Sequence, residues 1–285
     1  MELVRTIPES RGLRRQWHQE NSRVALVPTM GALHEGHLSL VRRAKELANR
    51  VVVSIFVNPT QFGPNEDFQR YPRPLEKDLG LLEAEKVDGV YIPDASGIYP
   101  ADFRTFVTVE ELSEKLCGKT RPGHFRGVTT IVCKLFSIWQ PELALFGWKD
   151  AQQCILIRRM IEDLSLPVEL VACPIVRESD GLALSSRNRY LNQEERAAAT
   201  SLNRSLRWAK DQAVRGELSS AVLLDGVKSL LHAEPLIRLD YAEIVDLHDL
   251  SPLETVTPSA LLALAAFLGK TRLIDNVVLL GDLHQ

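Results

Sequence analysis

Apolar and polar residues fall into alternating blocks along the first 175 residues of this chain. Five short runs rich in Val, Ile and Leu stand out: Val24–Val27, Val51–Val57, Gly89–Ile92, Leu143–Phe146 and Val168–Ala172. None alternates apolar with polar, the pattern of strands covered on both faces. Between them lie segments with helical periodicity: Leu38–Ala48, Leu75–Glu85, Val128–Ile138 and Ala151–Asp163. Strands alternating with helices predict an α/β fold with a doubly wound parallel sheet. The stretch "TFVTVEE" at 105–111 alternates strictly and is β-branched. It reads as an additional strand, at an edge.

The texture changes after Pro174. The chain is polar and loop-like to Leu191 and then strongly helical, with Asn192 placed as an N-cap and Glu195 three residues on to complete a capping box. A second helix is expected near Ser220–His232, then strands at Tyr241–Asp246, Leu261–Phe267 and Arg272–Leu280. Two helices and three strands make a smaller α+β domain. The expected division is residues 1–176 and 177–285, with no internal repeat or low-complexity segment.

Composition narrows the classes of function. With 285 residues, 45% of them hydrophobic, the chain can bury a substantial core. A net charge of −3 leaves no basic footprint, which argues against nucleic acid as a partner. Cys117, Cys133, Cys154 and Cys173 are far apart and form no C-x-x-C pair, so a reducing, cytoplasmic setting is expected rather than a disulfide framework or a zinc site. The N-terminal stretch lacks the apolar core of a signal peptide. The longest apolar run, 260–268, is under half a membrane span, so no membrane association is expected.

The chemistry-bearing stretch is "VPTMGALHEGHLSLVRRA", residues 27–44, where a strand hands over to a helix. Ligands of open α/β sheets bind at the carboxyl ends of strands. Its glycines permit tight turns, and Gly36 lets a flat group lie against bare backbone. The helix start offers N–H groups and a positive dipole end to phosphate. His34 and His37, three apart, are expected to share a helix face and donate to oxygens that gain charge in a transition state. An isolated H-x-x-H pair is more often a solvated helix start, and a zinc site lacks a third ligand at suitable spacing. The strand–glycine loop–helix context favours anion chemistry. Other nucleotide signatures fail: there is no G-x-G-x-x-G and no G-x-S-x-G. "CGKT" at 117–120 and "LGKT" at 268–271 lack the first P-loop glycine, with Ser113 and Leu264 in its place.

An H-x-G-H motif after the first strand resembles the nucleotidylyltransferase superfamily. Further stretches narrow this: "SIFVNPTQFGPNEDFQRYPR", "RPGHFRGVTTIVCKLF", "LFGWKDAQQ", "LALSSRNRYL" and "GKTRLIDN" together resemble the pantoate–β-alanine ligase family over nearly the whole chain. The resemblance implies a Rossmann-like fold and ATP-dependent ligation of (R)-pantoate and β-alanine, through pantoyl adenylate, with release of AMP and pyrophosphate. It implies ATP binding by Met30, Gly31, Ala32, Leu33, His34, Glu35, Gly36 and His37, by Gly147, Trp148, Lys149 and Asp150, and by Val176, Leu184, Ser185, Ser186 and Arg187. Catalytic roles fall to His37, His34 and Lys149. Gln61 and Gln153 are implied to hold pantoate, with β-alanine also beside Gln61, and Asn58, Arg121 and His124 are further candidates.

These residue types suit those roles. A carboxamide offers both donors and an acceptor to a hydroxy acid. Lys149 is a mobile cation for the α- and β-phosphates, and Ser185, Ser186 and Arg187 supply donors to the leaving pyrophosphate, as the family's counterpart of the KMSKS loop of class I synthetases. "GPNEDFQRYPR" looks like a lid. Mg²⁺ is expected mainly on the phosphates, with no protein ligands identified. Read without the family, "NPTQF" is a turn, "RPGHFRG" an exposed loop and "LALSSRN" a linker. The rival readings are a plain nucleotidylyltransferase and a nucleotide-sensing module without turnover. Two neutral amides argue against a phosphorylated substrate, and the intact histidines and Lys149 against a sensor. The resemblance also implies a homodimer, for which the 105–111 stretch is a candidate edge.

Overall fold

The computed structural model describes residues 1–64 and 66–281. The chain forms two compact units. The first comprises Met1–Glu114, Gly118–Gly147 and Leu156–Cys173; the second comprises Lys115–Cys117, Trp148–Ile155 and Pro174 onward.

In the first unit, strands β1 (Glu2–Val4), β2 (Val24–Thr29), β3 (Arg50–Ile55), β4 (Gly89–Tyr91), β5 (Leu143–Gly147) and β6 (Glu169–Cys173) form one sheet in the order β1-β4-β3-β2-β5-β6. Every pairing in it is parallel. The helices in this stretch of chain are α1 (Ile7–Gln19), α2 (Glu35–Leu47), α3 (Leu75–Ala84), α4 (Ala95–Ile98), α5 (Cys117–Thr120), α6 (His124–Trp139) and α7 (Ala151–Asp163). Val24 through Val27 and Val51 through Val53 are essentially inaccessible, as the unbroken apolar runs require. The order reverses at β2, with β3 on one side and β5 on the other, the kind of switch point at whose carboxyl ends open α/β sheets bind ligands.

The second unit carries α8 (Gln193–Val214) and α9 (Ser220–His232) with an antiparallel sheet of β7 (Ile237–Asp246), β8 (Ala260–Leu268) and β9 (Thr271–Val278). Its core brings Leu202, Leu206, Leu223 and Val227 together with Leu262 and Leu264. Asn192 and Glu195 form the expected capping box on α8. The near-P-loop stretches are a single helical turn, 117–120, and the β8–β9 turn, where Gly269 takes φ +54°.

Several elements differ from the sequence reading. β1 and α1 have no counterpart in it: three residues are too few to show a pattern, and α1 buries only Ser10, Arg14 and Trp17. The strand expected at 105–111 does not form. The Thr129 hydroxyl donates to the Val107 carbonyl (2.7 Å), and the Val107 N–H donates to the Thr130 hydroxyl (3.0 Å). The backbone that would pair with a strand is satisfied instead by two threonines of α6. Among the described residues, no helix is long and apolar enough to cross a membrane.

Candidate active site

The loop after β2 is held from beneath by a buried carboxylate. Asp78, on α3 and 1% exposed, accepts from the Ala32 N–H and the Leu33 N–H, each at 2.8 Å. Gly31 has φ +79°, and a Cβ there would lie 3.0 Å from Asp78 Oδ2 and 3.1 Å from Ile55. Only glycine fits that conformation and that approach. Ala32 also has positive φ, at 51°, fixed by its bond to Asp78.

The two histidines meet, but not as neighbours on a helix face. His34 is the extended N-cap of α2 and His37 occupies the third helical position. Each caps through Nδ1: that of His34 accepts from the Gly36 N–H (3.2 Å), and that of His37 accepts from the His34 N–H (3.3 Å). Their ring centroids are 4.1 Å apart. With Nδ1 accepting a backbone hydrogen, the neutral ring carries its proton on Nε2, so both side chains are set as Nε2–H donors. Glu35 pairs with Arg42, so its place in the loop is a backbone one.

A second cluster of the same unit surrounds the turn Pro59–Gln61. Asn58 is 1% exposed and donates to Gln61 Oε1 (3.0 Å) and to the Gly127 carbonyl (3.1 Å). Gln61 Nε2 points to the Met30 sulfur at 3.2 Å. His124 Nδ1 lies 2.8 Å from the Gln61 carbonyl, and its Nε2 lies 3.0 Å from Arg121. Arg121 in turn grips Glu66 with two hydrogen bonds, at 2.7 and 2.6 Å. Burial pushes the Glu66 carboxyl up, but the bonds and charge of Arg121, with help from Gly63 and His124, hold it below the ordinary carboxylate range. Phe62 packs against Phe68 and Tyr71. The segment expected to be a lid is thus tied at several described positions; Asn65 within it lies outside the described residues.

The second unit holds the other group. Lys149 and Asp150 occupy a turn, Trp148–Asp150, with Lys149 Nζ 3.5 Å from Asp150 Oδ2. Gln153 lies in the first turn of α7. The Asn276 carboxamide, in β9, donates to the carbonyls of Trp148 (2.9 Å) and Lys149 (3.1 Å). Beside it Asp275, 3% exposed, forms a two-point pair with Arg177, at 2.7 and 2.9 Å. Arg177 pairs by backbone with Ala183, and the Leu184 N–H donates to the Val176 carbonyl (3.0 Å), which aligns Val176 with the start of the 184–187 stretch. Ser185 caps the turn Ser186–Tyr190 by accepting from the Arg187 N–H (3.2 Å).

Sequence reasoning did not single out Asp78, Glu66, Asp275 or Asn276. The last two stand in "GKTRLIDN", a stretch that carries the family resemblance but no evident chemistry of its own. Their work is to orient neighbours, and for the last two the signal is a polar pair inside an apolar run. Among the described residues, no three His, Cys, Asp or Glu side chains gather as a metal site.

The Pantoate-beta-alanine ligase family profile matches residues 2–278. The chain is 57% identical to the pantothenate synthetase of Roseiflexus sp. (strain RS-1) over 279 residues, covering 98% of this chain and 99% of that one. The crystal structure of pantothenate synthetase from Thermus thermophilus superposes with a TM-score of 0.93 at 45% identity, covering 98% of this chain and 99% of that one. The pantoate–β-alanine ligase of Francisella tularensis, solved in complex with β-γ ATP and β-alanine, gives a TM-score of 0.79 at 33% identity over 98% of this chain and 97% of its own. By sequence, fold and coverage alike, this chain belongs to the pantoate–β-alanine ligase family.

Proposed function

We propose that the chain joins (R)-pantoate to β-alanine in two steps at the expense of ATP. A carboxylate oxygen of pantoate attacks the α-phosphorus, and pyrophosphate leaves with the bonding electrons of the broken P–O bond. The β-alanine amine then attacks the activated acyl carbon, loses a proton, and AMP departs. Neither step calls for a protein nucleophile. Positioning and charge stabilisation supply the catalysis.

The observation that carries this reading is the capping arrangement of His34 and His37. Two Nε2–H donors, fixed by their own Nδ1 bonds at a strand-to-helix crossing, suit an α-phosphate gaining charge. Met30 through Gly36 supply backbone to the nucleotide. Lys149 serves the α- and β-phosphates, with Asp150 beside it, and Gly147 and Trp148 contribute backbone. Ser185, Ser186 and Arg187 receive the leaving pyrophosphate, with Val176 and Leu184 framing that stretch. Gln61 and Gln153 hold pantoate, and β-alanine comes beside Gln61. Arg121 and His124 flank that turn. Mg²⁺ enters with ATP as part of the substrate, since a small, strongly hydrated ion is held chiefly by phosphate oxygens. The enzyme works in the cytoplasm as a homodimer; the partly exposed Phe106 supports an interface at the 103–109 stretch.

The test follows the oxygen. Pantoate labelled with ¹⁸O in its carboxylate passes one labelled oxygen to AMP during turnover. Without β-alanine, pyrophosphate still forms. Label in inorganic phosphate, with ADP as product, would show attack at the γ-phosphorus and overturn the adenylate route.

A further inference from the structure

The turn at Gln61 is wired in one direction. Asn58 uses its carboxamide fully: Nδ2 donates to the Gly127 carbonyl and to Gln61 Oε1, while Oδ1 accepts from the Tyr99 hydroxyl (2.9 Å) and the Thr60 hydroxyl (2.9 Å). A backbone carbonyl can only accept, so the Gly127 contact takes the nitrogen end of the Asn58 amide, while the two hydroxyls hold the oxygen end and set the plane in which the remaining N–H meets Gln61. Reversing it would set two buried oxygens against each other and leave donors unmet, a costly arrangement at a 1% exposed residue. Because Asn58 presents N–H to Gln61, the Gln61 carboxamide must turn Oε1 inward and Nε2 outward. Among the described residues Nε2 meets the Met30 thioether, a weak acceptor that a substrate oxygen outcompetes.

Packing keeps the wiring in register. A Cβ on Gly127 would lie 2.5 Å from the Thr60 carbonyl carbon and 2.6 Å from the Gln61 nitrogen, so helix α6 presses directly on this turn. Phe103 meets the Tyr99 ring edge-on at 5.0 Å and Phe56 flanks it at 6.3 Å. Burial raises the Tyr99 hydroxyl above its ordinary range, so it stays a protonated donor.

We propose that Tyr99 and Thr60, acting through Asn58, are positioning residues that fix the Gln61 carboxamide with its N–H end toward the substrate. The turn thereby selects an oxygen acceptor, carboxylate or hydroxyl, of the hydroxy acid over the ammonium of the second substrate. The assignment rests on the reading that Gln61 holds pantoate. It extends that reading to residues with no contact of their own with substrate.

The experiment measures KM for pantoate and for ATP, with kcat, in Gln61→Ala, in Tyr99→Phe/Thr60→Val, and in the triple combination. The near-isosteric pair removes both hydroxyl donors without a cavity, and Tyr99→Phe alone serves should the pair fold poorly. The expected result is a rise of about tenfold or more in pantoate KM for the hydroxyl variants, the effect of one misoriented hydrogen bond, with ATP KM unchanged. In the Gln61→Ala background the same substitutions have no further effect on pantoate KM, because the group they orient is gone. Unchanged pantoate KM, or effects that add in the Gln61→Ala background, would overturn the relay while leaving Gln61 as the pantoate ligand. Should Gln61→Ala itself leave pantoate KM unaltered, the underlying assignment fails first and the relay with it.

Discussion

The loop 30–37 of the first unit and the Lys149 turn of the second are built in opposite ways. In the first, the donors are backbone N–H groups and two imidazoles locked by their own capping bonds, and one buried carboxylate, Asp78, bears on the backbone directly. In the second, the candidate donors are long flexible side chains, Lys149 and Arg187, on turns held by Asn276 and by Val176 and Glu178, the neighbours of Arg177. The first kind of site presents a charge pattern that needs no rearrangement when charge develops. The second can follow a departing group. The difference tells which substitutions strike chemistry and which strike scaffolding.

The largest effect is expected where the second region is braced. Asp275 is 2% exposed by side chain and holds Arg177 at two points. Asp275→Ala leaves a half-buried guanidinium without its partner, and removing one member of such a pair costs about 3–5 kcal/mol. Urea unfolding checks this. A variant as stable as the parent would mean that β9 does not brace the bridge between Arg177 and Ala183.

Next comes the chemistry of the first region. His37→Ala is expected to lower kcat by about 10²-fold or more, as loss of a transition-state donor does, with little change in ATP affinity. Reduced stability with unchanged kcat would make the histidines caps and nothing else. A smaller effect separates the loop from its support. Asp78→Asn keeps one acceptor for Ala32 or Leu33 and loses the charge, which should cost about 1–3 kcal/mol in stability and lower kcat with it. Stability lost without any change in kcat would uncouple the loop's shape from catalysis.

The contrast also accounts for what could be read from the sequence. The histidine loop was legible because its parts are contiguous: strand, glycine, N-cap and helix follow within a dozen residues, and local rules govern each. The parallel sheet was legible for the same reason, in unbroken apolar runs such as Val51–Val53. Asp78 was not, because it meets Ala32 across 46 positions, and Asn276 reaches Trp148 across 128. No periodicity records such a pairing. The 105–111 stretch shows the converse failure. Its alternation is real, with Val109 buried and Thr108 exposed, but alternation states only which side is covered. What satisfies the backbone there is a pair of α6 hydroxyls, and a strand pattern cannot reveal that.

The smallest expected effect concerns the clasp of Glu66 and Arg121, which joins the 63–73 segment to the turn before α6. The Glu66 carboxyl is held below its ordinary value of 4.5 by Arg121. A depressed carboxyl contributes stability that is present above its unfolded value and is lost as pH falls through the lower folded one. The clasp is therefore whole at neutral pH and opens only below about pH 4.5. The Glu66 N–H bonds to the Gly63 carbonyl and the Arg70 N–H to that of Asp67, so both amides report on the segment. In hydrogen exchange normalised for intrinsic rates, Glu66→Gln should lower their protection about two- to fivefold at pH 7, the worth of a partly exposed ion pair. The parent and the variant should converge as pH drops below that of the opening. Equal protection at pH 7 would show that the aromatic packing of Phe62, Phe68 and Tyr71 holds the segment without help from the charge pair.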